Sequence, residues 1–156
     1  MRRFKQQLPE PEVRQILSEA TNGVLSLVGT DGRPYGVPLS FVYDGRGAIF
    51  FHCAREGRKI ESLRHCRHAS FCTVALDDVQ PAEFTTYYRS VIAEGRISII
   101  ESRDEIIAAL RMLGDKYSPA IDSTHEIARA LDRVCVLRLD IETVSGKEAI
   151  ELTRRR

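Results

Sequence analysis

The sequence predicts a mainly β fold, a six-stranded antiparallel barrel with short helices packed outside it. Three observations carry this. Apolar residues recur at every second position through most of the chain, and Gly, Asp and Pro turn signals punctuate those runs. The connections between the runs are mostly too short for the crossovers that parallel strands need.

The elements follow in order. Pro9 to Ala20 sets Val13, Ile16, Leu17 and Ala20 at helical spacing, with Glu10 and Glu12 in the first turn and Asn22-Gly23 as a stop. Gly23 to Thr30 and Arg33 to Tyr43 read as one hairpin closed by a two-residue Asp31-Gly32 turn, since Tyr35, Val37, Leu39, Phe41 and Tyr43 alternate onto one face. Asp44 to Gly47 turns the chain into a third strand, Ala48 to Cys53, so that the three are expected to form a meander. Ile60 and Leu63 mark a short helix ending near Cys66. Ala69 to Leu76 is apolar on both faces, as in a central or barrel-lining strand.

Asp77 to Glu83 reads as a loop, and Thr85 to Ile100 as one long strand with a bend or bulge at Gly95. Ser102 and Glu105 form a capping box ahead of a helix carrying Ile106, Leu110, Leu113 and Tyr117 on one face. A second box, Ser123 to Glu126, opens a short helix through Leu131, and Val134 to Glu142 is the last strand.

A chain of 156 residues fits one domain, here 1–156 with a core over about 9–147 and frayed ends, including Arg154 to Arg156. Its 23 basic and 22 acidic residues nearly cancel, which argues against nucleic acid or an anionic membrane as partner. No segment is long and apolar enough to span a bilayer, and MRRFKQQLPEPE lacks an apolar signal region; the expectation is a soluble, cytoplasmic protein. The four cysteines sit in apolar strand or helix patterns rather than a loop-rich framework, as reduced thiols do.

Four stretches hold chemistry. In FFHCAREGRKIESLRHC, residues 50–66, Arg55, Arg58 and Lys59 crowd a helix start whose free N–H groups already carry partial positive charge. That arrangement becomes favourable when an anion such as phosphate sits among them, and Gly57 lets backbone donors approach it. A solvated basic helix face explains the same residues equally well. His52, Cys53, His65, Cys66, His68 and Cys72 raise the thought of zinc, but adjacent strand residues such as His52 and Cys53 point to opposite faces and no Cys-x-x-Cys is present, so no metal is expected. Cys66, Cys72 and Cys135 read as small core residues. Tyr88, Arg89 and Ser90 place a ring, a guanidinium and a hydroxyl side by side at a strand start. Pro34 and Pro38 remove two ladder donors, so their strand is an edge or faces a ligand. No hydrolase triad, Walker loop or GxGxxG accompanies them.

These residues carry a family likeness. The runs Asp31 to Phe41, Ile49 to Lys59, Tyr88 to Val91 and Gly146-Lys147 resemble the flavin-binding split β-barrel proteins of the pyridoxamine 5′-phosphate oxidase-like superfamily, and among them most closely the nitroimidazole-resistance proteins. The resemblance covers Arg3 to Lys147, and its most specific element is the pattern from His52 to Lys59. It implies a split barrel that dimerises and holds FMN at the subunit interface. By position, Gly57, Arg58 and Lys59 would bind the FMN phosphate, with His52, Cys53 and Ala54 near the ribityl chain or ring edge. Val37, Pro38 and Leu39 would offer backbone to the isoalloxazine, while Tyr88, Arg89 and Ser90 would line the cleft.

The function so implied is an FMN-dependent oxidoreductase passing electrons to a small acceptor, a nitroaromatic such as a 5-nitroimidazole, with His52 as proton donor or substrate contact. The alternative is a non-catalytic module of the same fold that binds or sequesters a flavin or haem. Cys53 departs from the small residue the resemblance expects. The chain ends soon after Lys147, without the longer C-terminal segment of true pyridoxamine phosphate oxidases, so vitamin B6 oxidation is not expected.

Overall fold

The computed structural model describes residues 4–154; the fraying expected at residues 1–3, Arg155 and Arg156 lies outside it. The strands are β1 (Asn22–Val28), β2 (Pro34–Ser40), β3 (Val42–Tyr43), β4 (Ala48–Ala54), β5 (His68–Gln80), β6 (Thr85–Ile99) and β7 (Val134–Glu148). The helices are α1 (Glu10–Glu19), α2 (Arg58–His65), α3 (Arg103–Tyr117), α4 (Thr124–Ala130) and α5 (Ile150–Thr153). All strand pairs are antiparallel, in the order β2-β1-β5-β6-β7-β4-β3.

The mainly β class is as expected, but the strand over Arg33 to Tyr43 breaks in two, which makes seven strands where six are read from the sequence. Its first part pairs with β1 and its last two residues pair with β4, at opposite ends of the sheet. The three strands therefore do not form a meander. Only Phe41 separates the two edge strands, so the sheet must curl on itself, and the barrel closes through this residue rather than through a ladder.

The break is held by packing. Phe41 is fully buried and meets Phe71 edge-on at 4.6 Å, and Phe51 meets Phe71 at 5.2 Å. The Phe41 N–H, which has no ladder partner there, donates to the Tyr117 hydroxyl at 2.9 Å, and the same hydroxyl reaches the Thr21 carbonyl. Lys116 donates to the Ala20 carbonyl at 2.6 Å and lies 4.1 Å from the Phe41 ring centroid. The C-terminal turn of α3 thus clamps the crossover.

Turn chemistry explains other boundaries. The β1–β2 connection is the five-residue loop Gly29 to Arg33 rather than a two-residue turn: Asp31 accepts from the Arg33 N–H at 3.0 Å, and Gly32 supplies a φ of 74°. Asp44 caps the β3–β4 turn by accepting from the N–H groups of Arg46, Gly47 and Ala48. Burial pushes its carboxyl up, but those three donors, with Arg138 nearby, hold it below its ordinary value. Gly95 sits at the expected bulge, where the register slips against β7; a Cβ there would lie 1.9 Å from the Asp140 carbonyl oxygen. Ser102 caps α3 through the Glu105 N–H, whereas Ser123 makes no such bond and Asp122 accepts from Thr124 instead.

Two strands outrun their expected ends. β5 continues through Asp77 to Gln80, paired with Thr85 to Tyr88, as a two-stranded ribbon beyond the core where polar side chains on both faces cost little. β7 continues to Glu148 against Arg89 to Glu94, and α5 follows unforeseen. The outer face of β5 is more open than its apolar sequence suggests: Val74 is 57% exposed, and Cys66 and Cys72 are half-buried rather than in the core. Among the described residues no helix is long and apolar enough to cross a membrane.

Candidate functional site

The cationic helix start has the form the sequence suggests. β4 ends at Ala54, and the chain turns through Gly57, whose φ of 109° is one that side chains rarely adopt, into α2. Ile60 and Leu63 hold α2 against the barrel core. No side chain caps its first turn, and the space beside the Gly57 Cα is open. Arg58 is exposed, with its guanidinium 4.3 Å from the Tyr35 ring centroid on β2. Lys59 is half-buried, and neither cation has a carboxylate partner among the described residues. Arg55 serves the fold instead, donating to the carbonyls of Leu131 at 3.0 Å and Val134 at 3.3 Å and so tying the end of β4 to the start of β7. The donor set at this helix start, free N–H groups with Arg58 and Lys59, fits a phosphate group.

Strand parity separates the neighbours. Phe51 and Cys53 face the core, while His52 and Ala54 are exposed on the opposite side. His52 lines a cleft of about 590 Å³ between β4 and helices α3 and α4, whose walls include Ser40, Leu113, Tyr117, Ile127 and Val134. That cleft is mostly apolar, and the Gly57–Lys59 turn does not line it.

Val37 and Leu39 are half-buried against the core, and Pro38 is exposed on the outer face of edge strand β2. The contact between Arg58 and Tyr35 joins this strand to the helix start, so two of the four stretches singled out in the sequence meet.

Tyr88, Arg89 and Ser90 lie elsewhere. His52 is opposite Val136 on β7, and Ser90 is opposite Lys147. Those two positions are eleven residues apart on one strand, a separation of roughly 35 Å for an extended chain. Arg89 pairs at 3.2 Å with Glu148, a carboxylate only 1% exposed, which also accepts from the Thr153 hydroxyl. Tyr88 carries Lys147 at 5.7 Å from its ring centroid. One chain therefore presents the predicted site residues in two groups at opposite ends of β7.

Three participants escape the sequence reading. Tyr35 stands in the proline-interrupted strand, but its stacking partner is set by tertiary contact. Glu148 is far from Arg89 in sequence, and nothing local marks it as the counterion. Cys135 reads as a core residue, yet it lies directly opposite Cys53.

A family model described as pyridoxamine 5′-phosphate oxidase matches residues 9–148. The chain belongs to that family. A search of curated protein sequences gives no match. Solved structures resembling this pyridoxamine 5′-phosphate oxidase family chain include a candidate 5-nitroimidazole antibiotic resistance protein from Bacteroides thetaiotaomicron, 21% identical, with 91% of this chain and 86% of that one covered at a TM-score of 0.79. A FAD and haem binding protein from Mycobacterium smegmatis is 23% identical over 93% of this chain and 73% of its own, with a TM-score of 0.77. A FAD-binding protein from Mesorhizobium loti is 25% identical over 92% and 97%, with a TM-score of 0.65.

Proposed function

We propose that this chain is a homodimeric, cytoplasmic FMN-dependent oxidoreductase that passes electrons from reduced flavin to a small acceptor, a nitroaromatic such as a 5-nitroimidazole. The observation that carries the reading is the uncapped start of α2, where Arg58 and Lys59 stand without carboxylate partners among the described residues. A phosphate neutralises that charge and occupies the free N–H groups. Gly57, Arg58 and Lys59 hold the phosphate in this reading. Val37, Pro38 and Leu39 supply one wall for the ring, with His52 and Ala54 at the other edge and Cys53 contributing backbone only, since its side chain faces the core. A bound flavin supplies the reversible electron storage that this reading requires. The likeness to a 5-nitroimidazole resistance protein supports the acceptor class, and the FAD-binding neighbours support a flavin.

The dimer completes the site. Tyr88, Arg89 and Ser90 stand roughly 35 Å along β7 from His52, so they line the same cleft only when a second copy brings them there. The outer sheet face is suited to that copy: Val24, Val74 and Ile92 are exposed on one face of the adjacent strands β1, β5 and β6. A second reading, a binding module for haem, draws on one observation: His52 opens into an apolar cleft, where an imidazole can serve as axial ligand.

The visible spectrum of the purified protein separates the two. Flavin bands near about 370 and 450 nm support the oxidoreductase, and a Soret band supports haem. A colourless protein that does not bind added FMN refutes both. Photoreduced holoprotein should then be reoxidised by a 5-nitroimidazole under anaerobic conditions, and sedimentation should give a dimer.

A further inference from the structure

Cys53 and Cys135 sit directly opposite each other on β4 and β7. Facing residues of an antiparallel pair have Cα atoms about 4.5–5.5 Å apart, inside the window of about 4.4–6.8 Å that a disulfide requires. Both side chains face the barrel core, on the same side of two adjacent strands. Cys135 is buried and Cys53 is half-buried, so solvent reaches the pair from the Cys53 side. Cys66 and Cys72, by contrast, have no facing cysteine among the described residues, for Cys72 lies between Val24 and Ile92.

Charge around the pair favours reaction. The neighbouring Cys53 thiol, with the positive potential of Arg55, Arg64 and Lys59, outweighs burial and lowers the Cys135 thiol to about 7. The same proximity raises Cys53 well above its ordinary value. The pair as a unit therefore loses one proton near neutrality and holds the second.

We propose that Cys53 and Cys135 form a peroxide-responsive dithiol, which a hydroperoxide converts to a cross-strand disulfide between β4 and β7. Transfer of the Cys53 proton to Cys135 leaves the thiolate on the more accessible sulfur. That thiolate attacks a peroxide oxygen; an S–O bond forms, the O–O bond breaks, and hydroxide leaves as water after taking up a proton. The Cys135 sulfur then attacks the resulting sulfenic acid, forming the S–S bond and releasing a second water. Two thiols lose two electrons and one hydrogen peroxide becomes two waters. A small dithiol such as dithiothreitol reverses the step.

The test uses the full-length, fully reduced protein with one equivalent of hydrogen peroxide, followed by alkylation and peptide mass mapping. The expected result is a Cys53–Cys135 link, with a mass loss of about 2 Da, that disappears on reduction, while Cys66 and Cys72 remain alkylated. A Cys72→Ala variant should form the link as the parent does, and Cys53→Ser and Cys135→Ser should not. Full alkylation of Cys53 and Cys135 after peroxide, a sulfenic acid on Cys53 trapped by dimedone without the link, or links through Cys66 or Cys72 would each overturn the proposal. The parent measurement decides even where a serine variant folds poorly.

Discussion

The two ends of β7 treat positive charge in opposite ways. At the Glu148 end, Arg89 is matched inside the chain by a carboxylate 1% exposed, so charge balance there is internal and structural. At the Val134 end, Arg58 and Lys59 crowd an uncapped helix start and have no carboxylate partner among the described residues. A buried carboxylate needs its partner to remain folded. An exposed cationic helix start folds without one and keeps its charge for an anion from outside. In the proposed reading the same kind of charge serves stability at one end and ligand binding at the other.

The strongest way to break this contrast is at Arg89. Arg89→Ala takes one guanidinium away from the buried Glu148 carboxylate, at a cost of about 3 kcal/mol, the low end of the range because Arg89 is itself 38% exposed. Thermal melts should show a fall of about 6–12 °C for a chain of this size, and adding Glu148→Gln should recover much of it. An unchanged melting temperature for Arg89→Ala would mean that the pair is not structural.

At the other end the effect moves from stability to binding. Lys59→Ala should leave the melting temperature of the ligand-free protein nearly unchanged and weaken FMN by about 10- to 100-fold, the value of one charged hydrogen bond. Flavin fluorescence titration reads this directly, and undiminished affinity would remove the phosphate assignment.

The thiol pair reports the same field without any ligand. Since the neighbouring Cys53 thiol and then Arg55, Arg64 and Lys59 hold Cys135 at about 7, the reactive thiolate fraction rises with pH through that value. Alkylation of the pair in the native protein should increase about tenfold from pH 6 to 8 and then level off, whereas an ordinary thiol keeps gaining above pH 8. Lys59→Ala should move the midpoint upward.

The smallest effect concerns the stacked ring. Tyr35→Ala removes the face under Arg58 and should weaken FMN by roughly 2- to 5-fold, as expected for an exposed cation–π contact. A loss as large as that of Lys59→Ala would show that Tyr35 touches the ligand itself.

What could be read from the sequence was local. The Gly57 turn, the cations of α2, the bulge at Gly95 and the edge position of the strand with Pro34 and Pro38 all follow from the needs of nearby backbone. What could not be read depends on pairing across long separations. The alternation from Tyr35 to Tyr43 runs on without a gap, so no local signal shows that Phe41 leaves one sheet edge for the other. Asp77 and Asp78 look like loop residues because polarity is all the sequence offers there, and only their ladder to Tyr87 and Tyr88 makes them strand.

By itself the sequence determined the periodicity, the turns and the cationic helix start, because each of these is set within a few residues by backbone geometry and charge. Tertiary structure alone decided which residues stand together. It set Cys53 against Cys135 and Arg89 against Glu148, and it kept His52 a strand's length away from Ser90. The physical reason is that ladder register, which positions side chains to within a residue, is fixed by the closed barrel as a whole.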